Sequence, residues 1–189
     1  EFGGRERMRV TARDQWQLGR SLYAGVRGEY LARSDRAFFG LGSRSEIQTR
    51  FSETRSEGFA FAGFAPNDHL RVELTQGFRD DLTGPGDAPS IESHFDTRKL
   101  PGFGHVRLAM AMLDLTLDSR PFPEENTGVR LVADATYGRD VEVATRSFLS
   151  GELDLEGAVE VSCPDRVLAA RVYAMDTQPL GREGVPFAQ

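Results

Sequence analysis

Few residues in this chain are of types that invite chemistry. They are Gly40-Leu41-Gly42, three histidines, one cysteine, and the acidic pairs Asp80-Asp81 and Glu124-Glu125. A Gly-x-Gly that cradles phosphate needs a strand before it, a helix after it and, in a P-loop, a Gly-Lys-Ser/Thr. Here Ile47-Gln48-Thr49-Arg50-Phe51 continues as strand, so residues 40–42 do not read as a nucleotide loop. His69 abuts the turn at Pro66, whereas His94 and His105 flank the far end of a loop expected over 81–102, so a shared metal site is not expected. Oxygen ligation of Ca²⁺ or Mg²⁺ needs several converging carboxylates. Neither acidic pair has such spacing, and both read as solvated loop ends. Serines and aspartates are present, but no Gly-x-Ser-x-Gly nucleophile elbow is. Cys163 stands alone in Ser162-Cys163-Pro164-Asp165, which leaves no intrachain disulfide and no cysteine metal site. No catalytic, cofactor-binding or metal-binding residue is nominated, and a protein that is not an enzyme is expected.

The elements that hold these residues have a period of two. In 152–161, Leu153, Leu155, Gly157, Val159 and Val161 oppose Glu152, Asp154, Glu156, Ala158 and Glu160. On a strand each set lines one face; on a helix both would scatter. Residues 69–79 repeat the pattern, with Leu70, Val72, Leu74 and Phe78 against Arg71, Glu73, Thr75 and Arg79. So do 109–118 and 7–13. About eight strands are expected, over 5–13, 18–33, 46–64, 69–80, 103–118, 128–138, 141–161 and 166–176. Pro66-Asn67-Asp68, Gly138-Arg139-Asp140 and Ser162-Cys163-Pro164-Asp165 read as short turns. Longer loops are expected at 34–45 and 81–102.

The chain has 189 residues and a net charge of −6, which argues against a nucleic-acid partner. Lys99 is its one lysine; the other basic residues are arginine. The longest unbroken apolar run is Leu108–Leu113, well short of the roughly 18 residues of a membrane helix. No signal peptide is visible. The chain opens on Glu1-Phe2-Gly3-Gly4, and the expectation is a fragment, with 1–189 forming part of one domain.

Alternation alone fits two architectures. A soluble β-sandwich, as in a binding module, would bury the Leu/Val/Phe face against a second sheet. A membrane barrel would turn the same face to lipid and place Glu, Asp and Arg in the lumen. Long strands, charge rows of mixed sign, and short turns at one end with long loops at the other favour an antiparallel up-and-down transmembrane β-barrel. Trp16, Tyr23, Tyr30, Tyr137 and Tyr173 fall near strand ends or in lipid-facing rows, where an interfacial girdle or a soluble core would hold them equally well.

Asp35-Arg36-Ala37-Phe38-Phe39-Gly40-Leu41-Gly42 resembles the "DRFFGLG" stretch of the bacterial surface antigen superfamily, outer-membrane assembly factors of the BamA and TamA kind. Leu117-Asp118-Ser119-Arg120-Pro121, followed by Gly128-Val129-Arg130-Leu131, is similar to that family's "LDSRD…P…G…L" hairpin, with Pro121 where the pattern has Asp. Val167-Leu168-Ala169-Ala170-Arg171, followed by Val185-Pro186-Phe187, resembles the strand leading to the family's lid loop. The three matches occur in family order. The resemblance implies a sixteen-stranded barrel of the bacterial outer membrane, about eight strands of it in this chain. Periplasmic polypeptide-transport-associated repeats before Glu1 and an Arg-Gly-Tyr/Phe lid motif after Gln189 are implied with it. The implied function is assembly, insertion or translocation of outer-membrane proteins through a weak lateral seam and membrane thinning. Implied partners are outer-membrane lipid, client outer-membrane or secreted proteins, and periplasmic or lipoprotein accessory subunits. The alternatives are a porin-like lipid or solute channel and a soluble sandwich module. Phe38 and Phe39 are expected to anchor an external loop, at the lipid or in the barrel mouth.

Overall fold

The structure, a computed structural model, describes residues 7–39, 48–100, 102–120, 127–143, 145–161, 166–182 and 184–185. Its strands are β1 (Arg7–Gln17), β2 (Leu22–Phe38), β3 (Thr49–Asn67), β4 (Leu70–Pro85), β5 (His105–Asp118), β6 (Gly128–Asp140), β7 (Ser147–Glu160) and β8 (Val167–Pro179). They form one eight-stranded sheet in sequence order, and every pairing is antiparallel. Among the described residues β1 and β8 are not paired to each other, so the sheet is open. No helix of the described residues is long and apolar enough to cross a membrane.

Eight strands match the expectation from periodicity, but several boundaries need correction. β1 runs to Gln17 rather than ending at 13, and β2 starts at Leu22 rather than 18. β2 runs through Phe38, into a stretch expected to be loop. β4 runs to Pro85 rather than ending at 80, and the segment after it carries two 3-10 turns, Ile91–Ser93 and Thr97–Lys99. β7 starts at Ser147 rather than 141, because Asp140 holds Glu142, Val143 and Arg146 in a turn. Asp140 Oδ1 accepts from the Glu142 and Val143 backbone N–H groups, and Oδ2 from Arg146. The expected turn at 138–140 is therefore the end of β6. The turn after β3 is Asp68-His69, one residue beyond Pro66-Asn67-Asp68, with Asn67 Oδ1 accepting from His69 and Leu70 N–H.

The two faces of the sheet have inverted polarity. Leu74, Phe78, Val129, Leu153, Leu168 and Val172 stand on one face and are exposed. The alternate positions carry Glu53, Glu73, Arg79, Asp81 and Asp140, all buried. Contacts on the charged face reach across several strands. Tyr23 of β2 donates to Glu73 of β4 at 2.9 Å. Arg13 of β1 lies 3.8 Å from Glu73, three strands away. Arg27 of β2 reaches Met112 Sδ on β5. Three strands in a flat sheet are separated by roughly 14 Å. Contacts over that distance mean that the sheet curls toward its charged face, which is the inner one.

Curling crowds inner side chains, and glycines opposite aromatics relieve it. Four inner-face pairs put a ring directly across from a glycine: Tyr23 with Gly63, Phe61 with Gly25, Phe59 with Gly77, and Phe148 with Gly138. A Cβ at any of these glycines would run into its partner's ring. The rings thereby lie over the neighbouring strand and seal it. Phe59, Gly77, Met110, Gly138 and Phe148 form one cross-strand row, the centre of an apolar cluster with Val106 and Leu108.

Candidate functional surfaces

The inner face is built around carboxylates gripped by arginine. Glu53 is 1% exposed. It accepts from Arg33 at 2.7 Å, Arg36 at 2.6 Å and Arg55 at 2.6 Å. Arg33 and Arg36 are three residues apart, so in a regular strand they would face opposite ways. One extra residue in β2, where the register shifts between Arg33 and Arg36, brings both to the inner side. Arg55 also donates to Asp81 at 2.8 Å, and Asp81 pairs with Arg79 at 2.6 Å. Lower on the same face, Glu73 accepts from Tyr23 and from Arg71 at 2.8 Å. Arginines also stack on inner rings: Arg13 over Phe61 at 4.5 Å, Arg27 over Phe59 at 5.2 Å and Arg36 over Phe51 at 5.6 Å. Further round the curve, Asp114, Asp134 and Glu152 stand directly opposite one another on β5, β6 and β7. None of the three has an arginine or lysine ion-pair partner among the described residues.

At the end of the sheet bearing the long connections, the inner face is apolar. Phe38 and Phe51 pack with Ile91 and Leu100 of the 86–104 segment, flanked by Phe95 and Phe103. Phe95 meets Phe38 edge-on at 5.1 Å between centroids. Each fully buried side chain of this size contributes about 1.5–3 kcal/mol. Phe38 therefore points to the inner face of the sheet at this end, whereas Phe39 is 55% exposed. Of the aromatics assigned to strand ends or lipid rows, Tyr23 does lie near a strand end, as the second residue of β2, but it is buried on the inner face. Tyr173 is a correction: it stands opposite Asp154, on the inner side. Trp16, Tyr30 and Tyr137 alternate to the outer face and are exposed.

The outer face is an apolar surface broken by few polar groups. In β4 the outward row reads Leu70, Val72, Leu74, Gln76 and Phe78, and then turns polar at Asp80. There Asp80 accepts from Arg107 and meets His105, each at 3.0 Å, and Arg107 lies 3.5 Å from Glu142. Leu74 and Phe78 are 58% and 61% exposed. Large contiguous apolar surfaces of this kind mark contact with a protein partner, a ligand or a membrane.

The sequence motifs take structural parts in this frame. Arg36 of the Asp-Arg-Ala-Phe-Phe stretch anchors Glu53, and Phe38 joins the apolar cluster with Phe51, Ile91 and Leu100. Gly40, Leu41 and Gly42 lie outside the described residues. Asp118-Ser119-Arg120 closes the turn into β6. Ser119 exchanges hydrogen bonds with Val129, its N–H donating at 2.8 Å and its Oγ accepting at 2.8 Å. Asp118 Oδ1 accepts from Arg120 Nε at 2.8 Å. That hydrogen bond holds the Asp118 carboxyl down at about 2. Pro121, the Glu124-Glu125 pair, Cys163, Pro186 and Phe187 lie outside the described residues. Asp80 and Asp81 face opposite sides of β4, outer and inner, so they do not converge on one ion. His69, bonded to the Asp118 carbonyl at 2.7 Å, and His105, bonded to Asp80, sit at opposite ends of the sheet. Neither the Glu53 arginine cluster nor the four glycine–aromatic pairs was foreseen. Both depend on cross-strand register, which alternation within one strand does not reveal.

No family model matches the chain, and no curated protein or solved structure is significantly similar to it.

Proposed function

We propose that this sheet is part of a transmembrane β-barrel of the bacterial outer membrane, and that the protein assists the assembly, insertion or translocation of outer-membrane proteins. The barrel reading rests on one observation: the apolar residues of an eight-stranded sheet face outward while its buried carboxylates and arginines face inward. Lipid is the solvent that favours this inversion. From Leu70 to Phe78 the outer row of β4 spans eight residue steps, roughly 26 Å at ~3.3 Å each. At a tilt of 35–45° that is about 20 Å along the membrane normal, near the height of a barrel's apolar band. Short connections at 18–21 and 68–69 lie at one end and the long 86–104 segment at the other, as periplasmic turns and external loops would, whereas 119–127 and 141–146 run against that asymmetry. Closure of the barrel requires strands beyond β1 and β8.

The assembly function is carried by the surface antigen resemblance. Two residues of its hairpin stretch, Ser119 and Val129, are joined by hydrogen bonds between the end of β5 and the start of β6. After the third stretch, β8 gives way to a segment that folds back on the inner face, where Val185 packs against the Phe59–Phe148 cluster. The test uses the full-length protein in liposomes with an unfolded client barrel. Faster insertion of the client than into empty liposomes is the expected result. Solute flux without faster insertion would replace this function with that of a channel. A protein that stays monodisperse without detergent would overturn the barrel itself.

A further inference from the structure

We propose that segment 86–104 is a strap that crosses the inner face at the external end and closes the mouth of the lumen. The inference rests on the barrel reading. The segment leaves β4, whose next neighbour in the sheet is β5, yet it first turns the other way, over β3 to β2. Asp87 N–H donates to the Ser34 carbonyl at 2.9 Å, two strands from its own, and Ser34 Oγ meets Asp87 Oδ2 at 3.3 Å. On β3, Arg50 N–H donates to the Pro89 carbonyl at 2.8 Å, and Arg50 and Ser90 form a parallel bridge. The strap then drives Ile91, fully buried, onto Phe38 and Phe51, and Leu100 joins the same cluster.

The return to β5 is clasped as firmly. Thr83 N–H donates to the Gly104 carbonyl at 2.8 Å, and Gly104 N–H donates to Thr83 Oγ1 at 2.8 Å. Gly104 sits at φ +98°, which a residue with a Cβ adopts only under strain. Both ends of the strap are thus fixed by backbone hydrogen bonds, and its middle by apolar burial. A connection whose only task was to join β4 to β5 would need neither. The strap instead lies where a lumen would open to the outside and fills that space with Ile91, Phe95, Leu100 and Phe103.

The experiment records unit conductance of the full-length protein in planar bilayers. Ile91→Asp places a charge in the cluster, and replacement of residues 88–101 by a Gly-Ser linker removes the strap without relying on one substitution. Ile91→Leu is the conservative control. Insertion is verified for each by heat-shifted electrophoretic migration. The strap predicts a several-fold rise in conductance for Ile91→Asp and for the linker variant, and none for Ile91→Leu. Inserted barrels whose linker variant conducts like the wild type would overturn the strap and leave the barrel standing. A protein that never enters the bilayer would overturn both.

Discussion

Glu53 is the residue whose loss the inner face tolerates least. Three guanidinium groups converge on it, and its side chain has no access to water. Removing one partner of a fully buried ion pair typically costs about 3–5 kcal/mol. Here the three arginines left behind are part-exposed, so water offsets some of that cost. Glu53→Ala is expected to destabilise the protein by about 2–3 kcal/mol, read from urea unfolding in detergent micelles. Gly77 makes a second residue-scale prediction. A Cβ there would strike the Gly58 carbonyl and the backbone of Phe59, whereas one at Gly58 meets nothing within 4 Å. Gly77→Ala should cost about 1–3 kcal/mol by overpacking, and Gly58→Ala should be close to neutral in the same assay. Asp118 supplies a pH dependence. Its folded carboxyl titrates at about 2, below the ordinary value near 3.9. Its contribution is therefore present above about pH 4 and is lost as pH falls toward about 2. Asp118→Asn should remove that part of the acid sensitivity, seen as a smaller drop in unfolding midpoint between neutral and acidic buffer.

At the scale of the element, the outer rows carry the claim of lipid contact. Leu74 lies within the apolar stretch of β4 and is mostly exposed. Leu74→Arg should cost about 2–4 kcal/mol if it sits at the bilayer midplane, measured by reversible folding into liposomes. The strands themselves were legible because a half-apolar, half-charged alternation fits no other period. Their ends were not, and the reasons are local. In β2 the extra residue between Arg33 and Arg36 breaks the alternation. A run of Ser34, Asp35 and Arg36 then reads as loop although it stays in the strand. In 141–143 the reverse holds: Val141, Glu142 and Val143 alternate like a strand, but Asp140 captures the Glu142 and Val143 N–H groups in a turn. The 86–104 strap was legible only as a long loop, because its anchors, Ser34 and Arg50, belong to strands distant in sequence.

For the whole molecule, the sequence left the choice between lipid and a second sheet open, since both reward the same apolar face. The structure supplies one open sheet with that face outward. It also supplies an inner face whose charges are matched in ion pairs over β1–β4, with a row of three carboxylates, Asp114, Asp134 and Glu152, without arginine or lysine partners among the described residues across β5–β7. The central claim is that the outer face meets lipid and the inner face meets water. Spin labels tested one at a time along β4 of the full-length protein in liposomes, at Leu70, Val72, Leu74 and Phe78 and at Arg71, Glu73 and Thr75, measure this directly. The account predicts strict alternation. Labels at the first four positions should collide with oxygen dissolved in the bilayer, and labels at the other three with a water-soluble nickel chelate. Nickel accessibility at Leu74 and Phe78 equal to that at Glu73 would contradict it.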